Sequence, residues 1–242
     1  MLLTRASAAG DRTESDLREL GASVVTMPLV RISPPADTQP LASAAERADS
    51  FDWIAFTSVN GVEGFARARG SAQPPRARIA AVGDATARAV TRLLGRTPDL
   101  VPGTFTAAAL GKALAESVRD GEAVLIVQAA DARPDLARAL SHLTPAPRVV
   151  AAYETIPVVA PQSRAAVAEA DIIILASGSA ARSLAAALSP SPVDALSDKI
   201  IACIGPVTAD EARQSGIPVS IVARESTMRG VIEALVEHVT AS

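Results

Sequence analysis

Apolar residues gather along this chain into short continuous runs, separated by longer amphipathic stretches, and the runs come in matching pairs. Trp53-Ile54-Ala55-Phe56 leads into Thr57-Ser58-Val59-Asn60, and Ile172-Ile173-Ile174-Leu175 leads into Ala176-Ser177-Gly178-Ser179. A continuous apolar run of this length suits a strand buried on both faces of a parallel sheet. The small polar residues that follow suit the N-cap of a helix. Helices are therefore expected over residues 62–68 and 180–188.

The next unit is duplicated as well. Ile79-Ala80-Ala81-Val82-Gly83-Asp84-Ala85-Thr86-Ala87 matches Ile201-Ala202-Cys203-Ile204-Gly205-Pro206-Val207-Thr208-Ala209, with Gly83 and Gly205 placed 122 positions apart and Thr86 and Thr208 likewise. Thr106 before a helix expected over 107–118 matches Thr227 before one expected over 228–239, at an offset of 121. A different unit opens the chain: a strand at Leu2-Leu3, a helix near 13–20 and a strand over 24–28. It returns as strand 124–127, a helix near 134–142 and strand 148–150. The order is A, B, A′, B′, and alternating strands and amphipathic helices predict an α/β fold of parallel sheets with helices on both faces. Residues 29–35 and 153–159 alternate apolar and polar positions and carry proline, which suits extended linker strands. The pattern leaves open whether the domains are A+B and A′+B′, or A+B′ and B+A′.

Composition narrows the function classes. A chain of 242 residues, 49% of them apolar, can bury a proper core as one large domain or two small ones. Aromatics at 2% argue against a base-stacking surface, and a net charge of −3 offers no general attraction to nucleic acid or an anionic membrane. Cys203 is the only cysteine, so an intrachain disulfide is ruled out, and with His142 and His238 as the only histidines the usual zinc ligands are too few. Met1 runs into Leu2-Leu3-Thr4-Arg5 without a basic leader, and the apolar runs are too short to span a bilayer, so a cytoplasmic protein is expected.

Candidate chemistry gathers where strands end. In parallel α/β sheets ligands bind beyond the carboxyl ends of strands, against helix N-termini whose free N–H groups and positive dipole ends favour anions. Thr57, Ser58, Asn60, Thr86, Ser177, Ser179, Thr208, Ser226 and Thr227 all fall there. Each alone reads as a helix cap; as a duplicated set they suggest two domains facing a cleft rich in donors and poor in fixed charge. Known nucleotide and hydrolase signatures are missing, since Gly83-Asp84-Ala85-Thr86 lacks a dinucleotide fingerprint and Ser177-Gly178-Ser179 lacks a histidine partner. Cys203 and Trp53 sit in strands and read as core. Tyr153 is the only tyrosine and opens the second linker. Its phenol can donate a proton to a leaving hydroxyl without any cofactor, while the plainer reading is a ring packed on a domain.

Taken in order, these motifs resemble the uroporphyrinogen-III synthase family over essentially the whole chain. The resemblance rests on Thr4-Arg5, on Phe56-Thr57-Ser58-Val59-Asn60-Gly61-Val62 and on Val82-Gly83-Asp84-Ala85-Thr86-Ala87. It continues through Tyr153-Glu154-Thr155-Ile156-Pro157, Ser177-Gly178-Ser179 and Ile204-Gly205-Pro206-Val207-Thr208-Ala209. A proline often follows the opening Thr-Arg pair in the family, where this chain has Ala6, and the stretch 72–76 matches nothing.

The resemblance implies two similar flavodoxin-like, doubly wound parallel-sheet domains. One would comprise 1–30 plus 160–242, the other 40–150, joined by linker strands 31–39 and 151–159. It implies a cofactor-free, metal-free lyase acting as a monomer on hydroxymethylbilane, a linear tetrapyrrole with eight carboxylates. Loss of the terminal hydroxyl would leave an azafulvene, and ring D would close through a spiro intermediate to uroporphyrinogen III. Tyr153 matches the family's proposed acid. Thr4, Arg5, Thr57, Ser58, Asn60, Gly83, Thr86, Ser177, Gly178, Ser179, Gly205, Thr208 and Thr227 match cleft positions that would hold substrate, largely through main-chain amides. A transient contact with the enzyme supplying the bilane is also expected, with no nucleic-acid or membrane partner. Two rivals share the fold pattern: a two-domain protein closing on a small anion, and an enzyme acting on sugar phosphates.

Overall fold

The computed structural model describes residues 1–5, 12–158 and 163–240. Ala6, which departs from the family pattern, and the expected linker end and domain start at 159–160 lie outside the described residues.

The chain opens with β1 (Leu2–Leu3), α1 (Thr13–Glu19), β2 (Val25–Thr26) and β3 (Val30–Ser33). Next come α2 (Gln39–Glu46), β4 (Trp53–Phe56), α3 (Val59–Arg69), β5 (Arg78–Ala81), α4 (Asp84–Leu94) and α5 (Ala107–Ser117). The middle holds β6 (Val124–Ala129), α6 (Asp135–Ala139) and β7 (Arg148–Pro157). The remainder is α7 (Ser163–Glu169), β8 (Ile172–Leu175), α8 (Gly178–Ala187), α9 (Pro192–Leu196), β9 (Ile200–Cys203), α10 (Pro206–Gln214), β10 (Ile221–Val222) and α11 (Met228–Thr240).

These elements fall into two compact units, Met1–Arg31 with Ile156–Ser242 and Ile32–Thr155. The first holds a parallel sheet in the order β10-β9-β8-β1-β2. Counted along the chain this is the order 2-1-3-4-5 reversed, the doubly wound arrangement whose direction of growth switches between β1 and β8. The second sheet runs β3-β7-β6-β4-β5, and Leu100 adds a parallel bridge beyond β5 at Ala80. Its β4–β5, β4–β6 and β6–β7 pairs are parallel, and its switch lies between β4 and β6. Both sheets are α/β and doubly wound, the class the alternating pattern predicts.

Each continuous apolar strand divides its residues between two cores, because successive side chains point to opposite faces. Ile54, Phe56, Leu125 and Val127 pack with α2, α3 and α4, while Trp53, Ala55, Val124 and Ile126 pack with α5 and α6. In the first unit Ile173, Leu175, Ile201 and Cys203 meet α7 to α10. Leu3, Ile174 and Ala202 meet α1 and α11 on the other face. Fully burying one such leucine, isoleucine or phenylalanine contributes about 1.5–3 kcal/mol, so these four clusters carry the fold.

Local structure differs from the sequence expectation in four places. The strand expected over 148–150 and the linker strand after it, with Tyr153, run together as the single strand β7. Ser58 starts α3 at Val59, earlier than expected, because its side chain caps the helix by accepting from the Gly61 N–H at 3.1 Å. The expected helix over 134–142 shortens to the five residues of α6. Helix α2 was missed, although Leu41, Ala44, Ala45 and Ala48, all buried, follow the helical spacing i, i+3, i+4, i+7. The unmatched stretch 72–76 is a loop held by Arg69, which donates to the carbonyls of Gln73 and Ala45, and by the Arg76 N–H bonded to Asp49.

Candidate active site

In the second unit the switch point gathers a hydroxyl, an amide and a phenol. Strand β4 ends at Phe56, Thr57 donates from its backbone N–H to the Val127 carbonyl at 3.4 Å, and Ser58 then turns the chain into α3. The Ser58 hydroxyl donates to the Tyr153 phenol oxygen at 3.0 Å. Asn60, one residue into the helix, has its side chain beside the same phenol and favours the ionised form.

Tyr153 reaches this position through a bulge. Strands β6 and β7 pair Gln128 with Ala151 but Ala129 with Tyr153, so an extra residue enters β7 at Ala152. Strict alternation would send Tyr153 to the face opposite Val150 and Ala152. The bulge instead lets Tyr153 pack on the same core cluster as those two residues, the face that α3 covers. Burial pushes the phenol pKa above its ordinary value, and the charge of Asp131 pushes the same way, while Ser58 and Asn60 act against them. Tyr153 is therefore a neutral proton donor at physiological pH. Asp131, in the turn after β6, was not among the candidates; only the pairing of β6 with β7 brings it near the phenol.

Two helices begin differently. Gly83 and Gly205, both extended, head α4 and α10 with no side chain capping the first turn. Unsatisfied first-turn N–H groups are anion donors. A β-carbon at Gly83 would stand 2.7 Å from the Phe105 ring, and one at Gly205 would collide with the Ser226 hydroxyl. The glycines thus permit a close approach by the residue just before Thr106 and Thr227. Those threonines cap α5 and α11, accepting from Ala109 at 3.1 Å and Gly230 at 3.0 Å.

The other candidates divide by burial. Ser177 caps α8, accepting from the Ala180 N–H, and lies 3.3 Å from the Ser179 hydroxyl. Gly178 packs against Glu211, whose carboxylate pairs with Arg182 at 2.8 Å. Thr4 is fully buried and its hydroxyl donates to the Ile174 carbonyl at 2.7 Å, so it ties β1 to β8. Thr86 and Thr208 are buried in the first turns of α4 and α10. Arg5 follows Thr4 at the carboxyl end of β1, an inner strand of the first sheet, half-buried, and burial lowers its guanidinium pKa.

A recess of about 230 Å³, lined by Arg69, Pro74, Pro75, Leu93 and Gly95 among others, sits at the C-terminal ends of α3 and α4, a helix length away from Tyr153. Among the described residues no cluster of His, Cys, Asp and Glu could hold a metal, and no helix is long and apolar enough to cross a membrane.

Residues 11–233 match the sequence profile described as uroporphyrinogen-III synthase HemD. The chain belongs to the uroporphyrinogen-III synthase family. This synthase-family chain is 27% identical over 98% of its length to the porphyrin biosynthesis protein HemD of Ruminiclostridium josui, and spans about half (48%) of that relative. It is 24% identical to a putative uroporphyrinogen-III synthase of Methanocaldococcus jannaschii, with 97% of each covered. Among solved structures it superposes on a mutant uroporphyrinogen III synthase from Thermus thermophilus with a TM-score of 0.68 at 18% identity, covering all of both chains. The uroporphyrinogen-III synthetase of Helicobacter pylori gives 0.67 at 15% identity, with 98% of each chain covered. These likenesses carry the two-unit α/β fold.

Proposed function

We propose that this family member converts hydroxymethylbilane to uroporphyrinogen III, with Tyr153 as the acid that releases the terminal hydroxyl. The single observation carrying this reading is the Tyr153 phenol, kept protonated and hydrogen-bonded at the switch point of its sheet. Proton transfer from the phenol to the leaving hydroxyl breaks the C–O bond and releases water, leaving an azafulvene cation and a phenolate. Ring D attacks through its substituted carbon, the spiro intermediate fragments and recloses, and the proton lost on rearomatisation returns to the phenolate. One water leaves and the acid is restored.

The uncapped first turns of α4 and α10 supply main-chain donors for substrate carboxylates. Such donors hold a polyanion without lysine clusters, which suits a chain whose only lysines are Lys112 and Lys199. Without the enzyme the same bilane closes to the uninverted isomer, so binding must select the folded conformation that inverts ring D. That is catalysis by orientation. On this reading the protein works as a monomer in the cytoplasm, meets the enzyme that supplies the bilane only transiently, and uses no cofactor.

The test is incubation of pure protein with freshly made hydroxymethylbilane, oxidation, and chromatographic separation of the porphyrin isomers. A dominant type III product supports the reading. Type I product alone, at the spontaneous rate, favours a protein that merely binds an anion.

A further inference from the structure

We propose that Ser58 and Asn60 are positioning residues that act through Tyr153, holding its phenol oxygen with donors so that the phenolate left after proton transfer is stabilised in place. This inference rests on the reading of Tyr153 as the acid, and it moves both residues from substrate binding to the support of the acid.

In the contact between the two hydroxyls Ser58 is the donor and the phenol oxygen the acceptor. A serine hydroxyl has one proton and two lone pairs. One lone pair accepts the Gly61 N–H at 3.1 Å, as the cap of α3, and the proton is directed at the Tyr153 oxygen at 3.0 Å. The phenol oxygen is thus an acceptor from Ser58, and its own proton is left to point to a substrate. The Asn60 side chain acts on the phenol in the same direction, favouring its ionised form. Both residues sit in the first turn of an 11-residue helix, whose positive dipole end favours an anion.

The arrangement is asymmetric in the useful direction. Bonds to an ionised acceptor are roughly twice as strong as bonds to a neutral one, so the same two side chains hold the phenolate more tightly than the phenol. Burial and the Asp131 charge keep the proton on until it is needed; Ser58 and Asn60 lower the cost of giving it up. The close fit of α3 maintains the geometry, since a β-carbon at Gly61 would sit 3.3 Å from both the Ser58 oxygen and the Val127 carbonyl.

Tyr153 is the only tyrosine, so phenolate absorbance in the near ultraviolet reports this residue alone. Its ionisation is followed in the full chain, and again with difluorotyrosine at this position, whose lower intrinsic pKa keeps the titration below strongly alkaline pH. Ser58→Ala and Asn60→Ala are each expected to raise the midpoint by about one unit, the scale of one lost hydrogen bond. Ser58→Thr should keep the parent midpoint, and Thr106→Ala, which strips a cap from α5 without touching the phenol, should not move it. In turnover, Ser58→Ala and Asn60→Ala should lower kcat about tenfold with KM little changed.

Asn60→Ala leaves the Ser58 cap intact and carries the test if loss of the cap unfolds the unit. An unchanged or lowered midpoint in Ser58→Ala and Asn60→Ala, or an equal shift in Thr106→Ala, overturns the proposal. The titration needs no substrate. A Tyr153→Phe protein with full activity would remove the acid reading separately, whatever the titration shows.

Discussion

Gly64 of α3 lies so close to the Ala152 carbonyl of β7 that a β-carbon there would stand 2.5 Å from the oxygen. Ala152 is the residue that the bulge inserts next to Tyr153. This close helix–strand approach lies beside Tyr153 and holds the first turn of α3 within reach of the phenol.

Gly64→Ala tests that approach. Alanine in a helix interior is favoured over glycine by up to about 1 kcal/mol, but the clash is with a backbone oxygen that has no rotamer to give way. Overpacking of this kind costs about 1–3 kcal/mol. Urea unfolding should show a net loss of stability, and the Tyr153 ionisation midpoint should rise as α3 moves outward. A more stable Gly64→Ala protein would show that the helix has room.

Thr4→Val separates a structural threonine from a ligand-binding one. The hydroxyl bonds the Ile174 carbonyl in a fully buried site, so its removal should cost about 0.5–1.5 kcal/mol in chemical denaturation. Turnover and KM should stay at parent values. A rise in KM with unchanged stability would return Thr4 to the substrate.

Glu122 gives a pH signature. It accepts from the Arg119 N–H at 2.9 Å, from Arg78 at 2.5 Å and from the Trp53 indole at 3.3 Å, with the Arg78 guanidinium 4.3 Å over the indole ring. The backbone bond from Arg119 is the main reason its carboxyl pKa lies below the usual value, and Arg78 adds to it. A depressed folded-state pKa means stability that is present above the unfolded-state value and lost as pH falls through the folded-state one. Glu122→Gln should therefore be less stable than the parent near neutral pH, and the gap should close on acidification below the ordinary glutamate range. A gap independent of pH would contradict the assignment.

Cys203 reports opening of the first unit. Burial pushes its thiol up to about 11, so at pH 8 only about a thousandth is thiolate, the reactive form. A thiol reagent should leave the native protein unmodified and label it stoichiometrically in denaturant. Rapid labelling under native conditions would place the thiol at the surface.

Much of this architecture is legible in the residues. The duplicated runs ending at Ser58 and Ser177, and the duplicated Thr106 and Thr227, mark strand ends and caps because capping is local chemistry. Helix α2 is legible in Leu41, Ala44 and Ala45, with Ala48 a turn further on, but the proline-bearing linker expected over 31–39 ends just where the helix begins. The bulge that turns Tyr153 is different. Its register shift arises from pairing with β6, and nothing in Ala151-Ala152-Tyr153 announces it. Asp131 and Phe105 were invisible for the same reason, since each meets its partner, Tyr153 or Gly83, across a gap that only the fold closes. Thr4 enters the candidate set through the family resemblance alone, and its bond to Ile174 shows where the hydroxyl points.

Isomer-resolved turnover of hydroxymethylbilane by the parent and Tyr153→Phe proteins, side by side, tests the central claim most directly. The account predicts chiefly type III product from the parent. Tyr153→Phe should be slower by about a hundredfold or more, with KM nearly unchanged and the residual enzymatic product still inverted. Equal rates would take the proton transfer away from Tyr153, and type I product alone from the folded parent would take the reaction away from this protein.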